Sequence, residues 1–253
     1  MQQSASEVIV VDYGCEHGTA EWVSQYYPAA KIVEVKDDPS FCASRARNIG
    51  ARYATQPLLA FVDADIMLNR DLREWIRTPP TEPLYFAPLE GTWEIGGFIV
   101  CTKEAFHQVD GYDEAFRGWG HEDTDFAQRL QEAGYKRAPL PFDLLSAISH
   151  GNDERQLGAD KGYFDSTEQA LFVGELYRRI KSDINHLTGQ PIELERRTML
   201  MAKLKDTFKE AWNKNQDEIV VTCSVNASQF KTPRLKVDSD LVYRLNIEHL
   251  KTT

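Results

Sequence analysis

The chain has 253 residues, 42% of them hydrophobic, which is long enough to bury the core of one large α/β domain and carry an appendage. Its formal net charge of −10 excludes a broad nucleic-acid surface, which needs clustered Lys and Arg to neutralise phosphates. No run of about 18 apolar residues encodes a transmembrane helix, and Met1-Gln2-Gln3-Ser4 lacks the basic and apolar parts of a signal peptide. Cys15, Cys42, Cys101 and Cys223 are spaced as reduced thiols, with no Cys-x-x-Cys for a zinc site. These features predict a cytoplasmic protein.

In chain order, Val8 to Val11 reads as a buried strand, Thr19 to Tyr27 has helical spacing, and Lys31 to Val35 is a second strand. Cys42 to Tyr53 reads as a helix carrying Arg45, Arg47 and Asn48. The apolar run Leu58 to Val62 is a strand that ends in Asp63-Ala64-Asp65. This alternation predicts parallel strands with crossover helices. It also puts the two acids where open α/β sheets bind ligands, beyond the carboxyl ends of strands.

Pro79-Pro80 marks a break, followed by short strands around Leu84 to Pro88 and Phe98 to Cys101. A helix is predicted from Glu122 to Gly134, with the glycine as its stop. The apolar run Leu144 to Ile148 then precedes His150. From Ser166 the pattern changes to long helices, Thr167 to Leu187 and Pro191 to Asn213, followed by a strand-like Glu218 to Val225 and a mixed tail. A catalytic domain over residues 1–155 and a mostly helical extension over 156–253 are expected. Leu171, Leu176 and Ile180, like Leu200, Leu204 and Phe208, recur near helical spacing, so the extension is predicted to be a packed helical pair. Acceptor selection or oligomerisation is the alternative reading of this segment.

Several residue groups carry chemistry. Two carboxylates one residue apart at a strand end can hold a hard divalent cation together with phosphate oxygens, although an Asp-x-Asp alone occurs in many turns. Glu122, Asp123 and Asp125 crowd three acids into four positions at a helix start. The macrodipole accounts for one of them. Mutual repulsion among the rest suits groups that bind hydroxyls or take protons. Trp119 lies between Gly118 and Gly120, so its indole either fills a core gap or offers an open face to the apolar side of a sugar ring.

The series Gly96-Gly97-Phe98-Ile99-Val100, Lys103-Glu104-Ala105-Phe106, Gly111-Tyr112-Asp113-Glu114, Trp119-Gly120-His121-Glu122-Asp123-Thr124-Asp125-Phe126 and Arg129-Leu130 resembles the family-2 glycosyltransferases and the β-1,4-galactosyltransferases. Upstream, Glu7-Val8-Ile9-Val10-Val11-Asp12 with Gly18-Thr19, and Ser44-Arg45-Ala46-Arg47-Asn48-Ile49-Gly50-Ala51, are similar to the nucleotide-binding half of the same fold, in the same order.

The resemblance implies an open nucleotide-diphospho-sugar transferase sheet, the GT-A Rossmann-like fold, with a C-terminal helical extension. It further implies a metal-dependent, inverting transfer of a hexose or N-acetylhexosamine from a nucleotide-diphosphate donor, with UDP as its base carrier, to a glycan or glycoconjugate hydroxyl. Surface-polysaccharide or glycoconjugate assembly is the implied setting. By the same resemblance Asp123 is the general base and Glu122 a ligand of sugar hydroxyls, with Trp119, Gly96 and Gly97 on the substrate. Asp63, Asp65 and His150 would surround Mn²⁺ or Mg²⁺. Asp12 would meet the base edge of uridine, and Arg45, Arg47 and Asn48 the diphosphate or ribose.

In that family a strand and a helix normally precede the residue matching Asp12. Met1-Gln2-Gln3 reads like the end of that helix, so the first strand is expected to be missing. Two rival readings stay open, a metal-dependent nucleotidyltransferase or phosphohydrolase and a catalytically silent sugar-nucleotide-binding or scaffold protein. Peripheral membrane association and homo-oligomer formation also stay open.

Overall fold

The computed structural model describes residues 5–38, 40–76, 80–88, 95–118, 120–141, 143–149, 164–227 and 237–251. They fall into two compact units. The first contains the described residues up to Asp113 and those from Glu122 to 149; the second contains Glu114–His121 and those from 164 onward.

The first unit begins with strand β1 (Ile9–Asp12), helix α1 (Thr19–Tyr26) and strand β2 (Lys31–Glu34). β1 and β2 pair in parallel from Ile9↔Lys31 to Asp12↔Glu34, as two strands joined through a crossover helix do. Helix α2 (Ala43–Tyr53) follows, started by Cys42, whose buried Sγ accepts from the Arg45 amide at 3.5 Å. Then come β3 (Leu58–Phe61), β4 (Ile66–Leu68), the short α3 (Leu72–Trp75), β5 (Leu84–Phe86), β6 (Ile99–Thr102), α4 (Lys103–Gln108), α5 (Glu122–Glu132), β7 (Lys136–Ala138) and β8 (Leu145–Ala147).

The central sheet has the order β3-β6-β5-β7, and β4 pairs with β8. β5 and β7 are parallel, but β6 runs antiparallel to both β3 and β5, so the sheet is mixed, a direction that the sequence reading left open for β6. The physical reason is that a central strand buried on both faces shows the same apolar run in either direction. Ile99, Val100 and Cys101 of β6 are all essentially inaccessible to solvent. Beneath the sheet's ligand end lies an aromatic cluster. The Tyr112 ring stacks on Phe126 at 4.2 Å and meets Phe61 edge-on at 5.0 Å. Rings of this size contribute most of the buried apolar area in such a core.

The second unit is built on two long helices, α6 (Thr167–Thr188) and α7 (Leu194–Asn213), and an antiparallel ribbon of β9 (Glu218–Ala227) and β10 (Val237–Asn246). Ser166 starts α6, its Oγ accepting from the Gln169 amide at 3.3 Å, and Gly189 ends it at φ 63°. Glycine is favoured there because a Cβ opposes the left-handed conformation. The tail read from sequence as mixed is β10, whose ten residues all pair with β9. In β9, Ile219, Val221 and Cys223 join the core of Tyr177, Ile180, Leu204 and Phe208 and Val225 is also buried, while Val220 is exposed, the two-residue alternation of a half-buried strand.

Candidate active site

The site is assembled around one guanidinium. Arg47 lies on the second turn of α2, whose first half carries no acid to pair with it. Its Nη2 meets Asp63 Oδ1 at 2.6 Å, while Nη1 meets Glu122 Oε1 at 3.1 Å and Asp123 Oδ1 at 3.0 Å. The side chains of Arg47 and Glu122 are each 11% exposed, so this is a nearly buried charge cluster and not a surface pair. Arg47 also lies over the Tyr112 ring, 5.0 Å from its centroid, which places the cluster directly on the aromatic core.

Three carboxylates share one cation, so they remain unequal. Burial pushes the Asp123 carboxyl well above the usual carboxylate range; Arg47 opposes this, and Glu122 and Asp63 reinforce it. Asp123 Oδ1 is buried and makes no hydrogen bond of good geometry. Asp125, on the same turn, is 2% exposed and pairs with Arg129 Nε at 2.8 Å. Arg129 in turn donates to the carbonyls of Val109 and Gly111, so Asp125 holds the chain ahead of the helix.

Asp63 leaves β3 and points at Gly97. A Cβ built on Gly97 would lie 1.8 Å from Asp63 Oδ2, so only glycine leaves the carboxylate its place. Gly97→Ala is therefore expected to displace Asp63 and to cost about 1–3 kcal/mol through overpacking. The accompanying measurement is nucleotide binding in the presence of Mn²⁺, which should weaken with the melting temperature. An alanine variant that melts and binds like the parent would show that Asp63 has another place to go.

The other residues read from sequence are distributed differently. Asp12 is buried, and both its oxygens accept from backbone amides, Oδ1 from Cys15 at 2.8 Å and Oδ2 from Ala20 at 3.0 Å, which starts α1 in place of a capping side chain at Gly18. Arg45 turns away from Arg47 to Asp38 at 2.9 Å and Asp37 at 2.7 Å, and Asp38 accepts from the Tyr13 hydroxyl at 2.6 Å. Asn48 bonds the backbone of Tyr112 twice, donating to its carbonyl at 2.9 Å and accepting from its amide at 2.8 Å.

Asp65 follows Asp63 in the turn after β3, and its carbonyl accepts from the Ile148 amide at 2.7 Å. Gly96 is exposed beside Gly97. Trp119 and His150 lie outside the described residues. Among the described residues no group of three or more His, Cys, Asp or Glu is placed to hold a metal ion. Tyr112 was not among the expected site residues, yet it floors the cluster and is 2% exposed. Its sequence signal was the Gly111-Tyr112-Asp113 turn, where Gly111 has φ 63° and a Cβ would meet Asn48 Oδ1 at 2.6 Å.

A sheet of mixed direction with acids converging beyond a strand end is an arrangement at which α/β proteins commonly bind ligands. Residues 2–76 match the model of glycosyl transferase family 2, and residues 83–151 match that of the N-terminal domain of galactosyltransferase. β-1,4-Galactosyltransferase 5 of Homo sapiens is 43% identical over 116 residues, 41% of this chain and 29% of that protein. Its counterpart in Danio rerio is 28% identical over 117 residues, 42% of this chain and 30% of that protein. These matches span less than a third of the relatives' length. A crystal structure of a Drosophila β-1,4-galactosyltransferase 7 variant, in complex with manganese, UDP-Gal and xylobiose, aligns over 64% of this chain and 77% of that one, with 17% identity and a TM-score of 0.45. Two consecutive stretches of the chain are thus similar to family-2 glycosyltransferases and to galactosyltransferases.

The relatives correct the expected cytoplasmic location, because β-1,4-galactosyltransferases are type II membrane enzymes of the Golgi. Cysteine spacing and the first few residues report only on the stretch of chain in which they occur. No described helix is long and apolar enough to cross a membrane.

Proposed function

We propose that this protein is a metal-dependent, inverting glycosyltransferase that moves a hexose or N-acetylhexosamine from a nucleotide-diphosphate donor, UDP in the first instance, to a hydroxyl of a glycan or glycoconjugate. The observation that carries this reading is the convergence of Asp63, Glu122 and Asp123 on Arg47. It brings the acid at the strand end within one guanidinium's span of the two acids that begin α5. The matches to galactosyltransferase relatives support the same class.

In this mechanism Asp123 takes the proton of the acceptor hydroxyl as its oxygen attacks the anomeric carbon and the bond to the diphosphate breaks. A base works best when its pKa approaches the working pH, and burial moves Asp123 in that direction. Glu122 accepts from sugar hydroxyls, and one displacement at the anomeric carbon inverts it. Arg47 keeps the acids at fixed spacing and spares the site the full repulsion among them. Asp12 and Arg45, as the nucleotide side, would act through the loop from Tyr13 to Gly18 and the Asp37-Asp38 turn, which they hold.

Asp63 and Asp65 supply hard oxygen donors of the kind that bind Mn²⁺ or Mg²⁺ together with substrate phosphates, and His150 would join them. A cation there would offset the charge that develops on the departing diphosphate. Asp65→Asn is expected to weaken Mn²⁺-dependent nucleotide binding at least tenfold with little change in melting temperature. Equal Mn²⁺-dependent affinity in that variant would remove Asp65 from the site.

The deciding experiment incubates the purified chain with a panel of nucleotide sugars and Mn²⁺, and follows nucleotide release with and without glycan acceptors. Acceptor-dependent release of a nucleoside diphosphate is the expected result. Release without sugar transfer would indicate a phosphohydrolase, and binding without release a silent sugar-nucleotide protein.

A further inference from the structure

The described residues of the segment Glu114–His121 lie in the sequence of the first unit but belong to the second. Phe116 meets Tyr177 of α6 edge-on at 5.0 Å, and Lys181 Nζ lies 5.6 Å from the Phe116 ring centroid. From α7, the buried Lys205 donates to the Arg117 carbonyl at 3.2 Å. A Cβ on Gly120 would strike Leu171 Cδ2 at 2.7 Å, so the backbone itself lies against α6.

The segment ends in strain. Gly118 and Gly120 have φ of 103° and 107°, and His121, which has a side chain, has φ 69°. A non-glycine residue persists in that region only where its surroundings over-determine it, and such residues cluster at functional sites. Two residues of α6 are among those surroundings. The His121 ring covers Gly174, where a Cβ would lie 3.0 Å from His121 Cδ2, and its other close neighbours would also be His121 atoms. His121 Nδ1 lies 3.7 Å from Glu175 Oε2, and Glu175 is held by Arg178 at 2.6 Å.

One peptide bond separates His121 from Glu122. We infer that Gly174 and Glu175 of the C-terminal unit are positioning residues: by holding His121 in its left-handed conformation they fix the chain where it runs into the acids of α5. The consequence for turnover rests on the transferase reading above, whereas the consequence for backbone order does not. The C-terminal unit is thereby part of the working enzyme and not an appendage.

The test uses the full chain with Gly174→Ala and Gly174→Val, and with His121→Gly as a second line. An alanine in a helix interior is intrinsically more stable than glycine. A merely structural Gly174 therefore predicts a higher melting temperature and unchanged behaviour in Gly174→Ala. The inference predicts instead that amide hydrogen exchange over residues 120–126 quickens at least tenfold, more for Val than for Ala, with exchange in β1 to β3 unchanged. His121→Gly relieves the backbone strain, so it should melt no lower than the parent, yet show the same faster exchange.

In a parent that transfers sugar, the three variants should lose tenfold or more in kcat with donor KM within twofold. Unchanged exchange at 120–126 in all three overturns the inference. A parent that releases no nucleotide from any donor overturns the transferase reading alone, because the exchange measurement still decides this one.

Discussion

Replacing Asp123 with Asn is expected to lower turnover by roughly 10²- to 10⁴-fold while donor affinity stays nearly intact. The substitution keeps the shape of the side chain and removes its capacity to take a proton. A base acts in the chemical step, so its loss falls on kcat. Glu122→Gln should behave differently, because hydrogen bonds from sugar hydroxyls to a carboxylate form in the ground state as well as in the transition state. Michaelis constants should therefore move together with kcat. Normal turnover in Asp123→Asn beside a dead Glu122→Gln with unaltered binding would reverse the two roles. Two active variants would make this segment a helix start and nothing more.

Arg47→Met should strongly destabilise the first unit. Breaking a buried ion pair by removing one partner costs about 3–5 kcal/mol, because the remaining charge stays buried and uncompensated. The figure applies to the partnership with Glu122, both of whose side chains are 11% exposed; Asp63, at 38%, is more solvent-screened and contributes less. The loss should depend on pH in a definite sense. Burial already holds Asp123 above the usual carboxylate range, and Arg47 is the group that opposes it. Without Arg47 the folded protein binds more protons than the unfolded chain from the ordinary carboxylate range upward. Stability then falls as pH rises through that window and returns on acidification. Urea melts of parent and variant across the window would show the deficit narrowing toward acid. A deficit that is flat with pH, or that widens toward acid, would remove Arg47 from the charge cluster. Arg47→Lys should rescue only in part, since an ammonium lacks the planar fork that reaches separate carboxylates.

Legibility in the sequence followed the range of the interactions involved. The βαβ start was readable because apolar period and helix spacing are local, and β1 pairs with β2 as its crossover demands. The direction of β6 was not, since an apolar run such as Ile99-Val100-Cys101 looks the same in both directions. β10 alternates Leu241, Tyr243 and Leu245 with Asp240, Arg244 and Asn246, a two-residue period that the reading of a mixed tail passed over, and it pairs with β9 along its whole length. At the site, the acids announced themselves by crowding at element ends, but Arg47 meets partners 16 and 75 residues away, and nothing in Ser44-Arg45-Ala46-Arg47-Asn48 tells which arginine turns inward. Asn48 and Asp12 carry side chains that also suit ligands, yet in the fold they bond backbone groups. The strain at His121 had no sequence signal, because the residue that makes room for it is Gly174.

The two stretches that match separate family models meet in the interval between residues 76 and 83. Arg47 and Asp63 lie on one side of that seam, Glu122 and Asp123 on the other. The cluster is divided across the seam, so a chimera that joins this first half to the second half of a relative keeps it only if that half brings acids that reach Arg47. One that brings neutral residues leaves Arg47 with Asp63 alone, and the reciprocal exchange strands two anions. The charge cluster thus acts as a compatibility check on recombination, and successful hybrids should be those in which both sides of the seam change together.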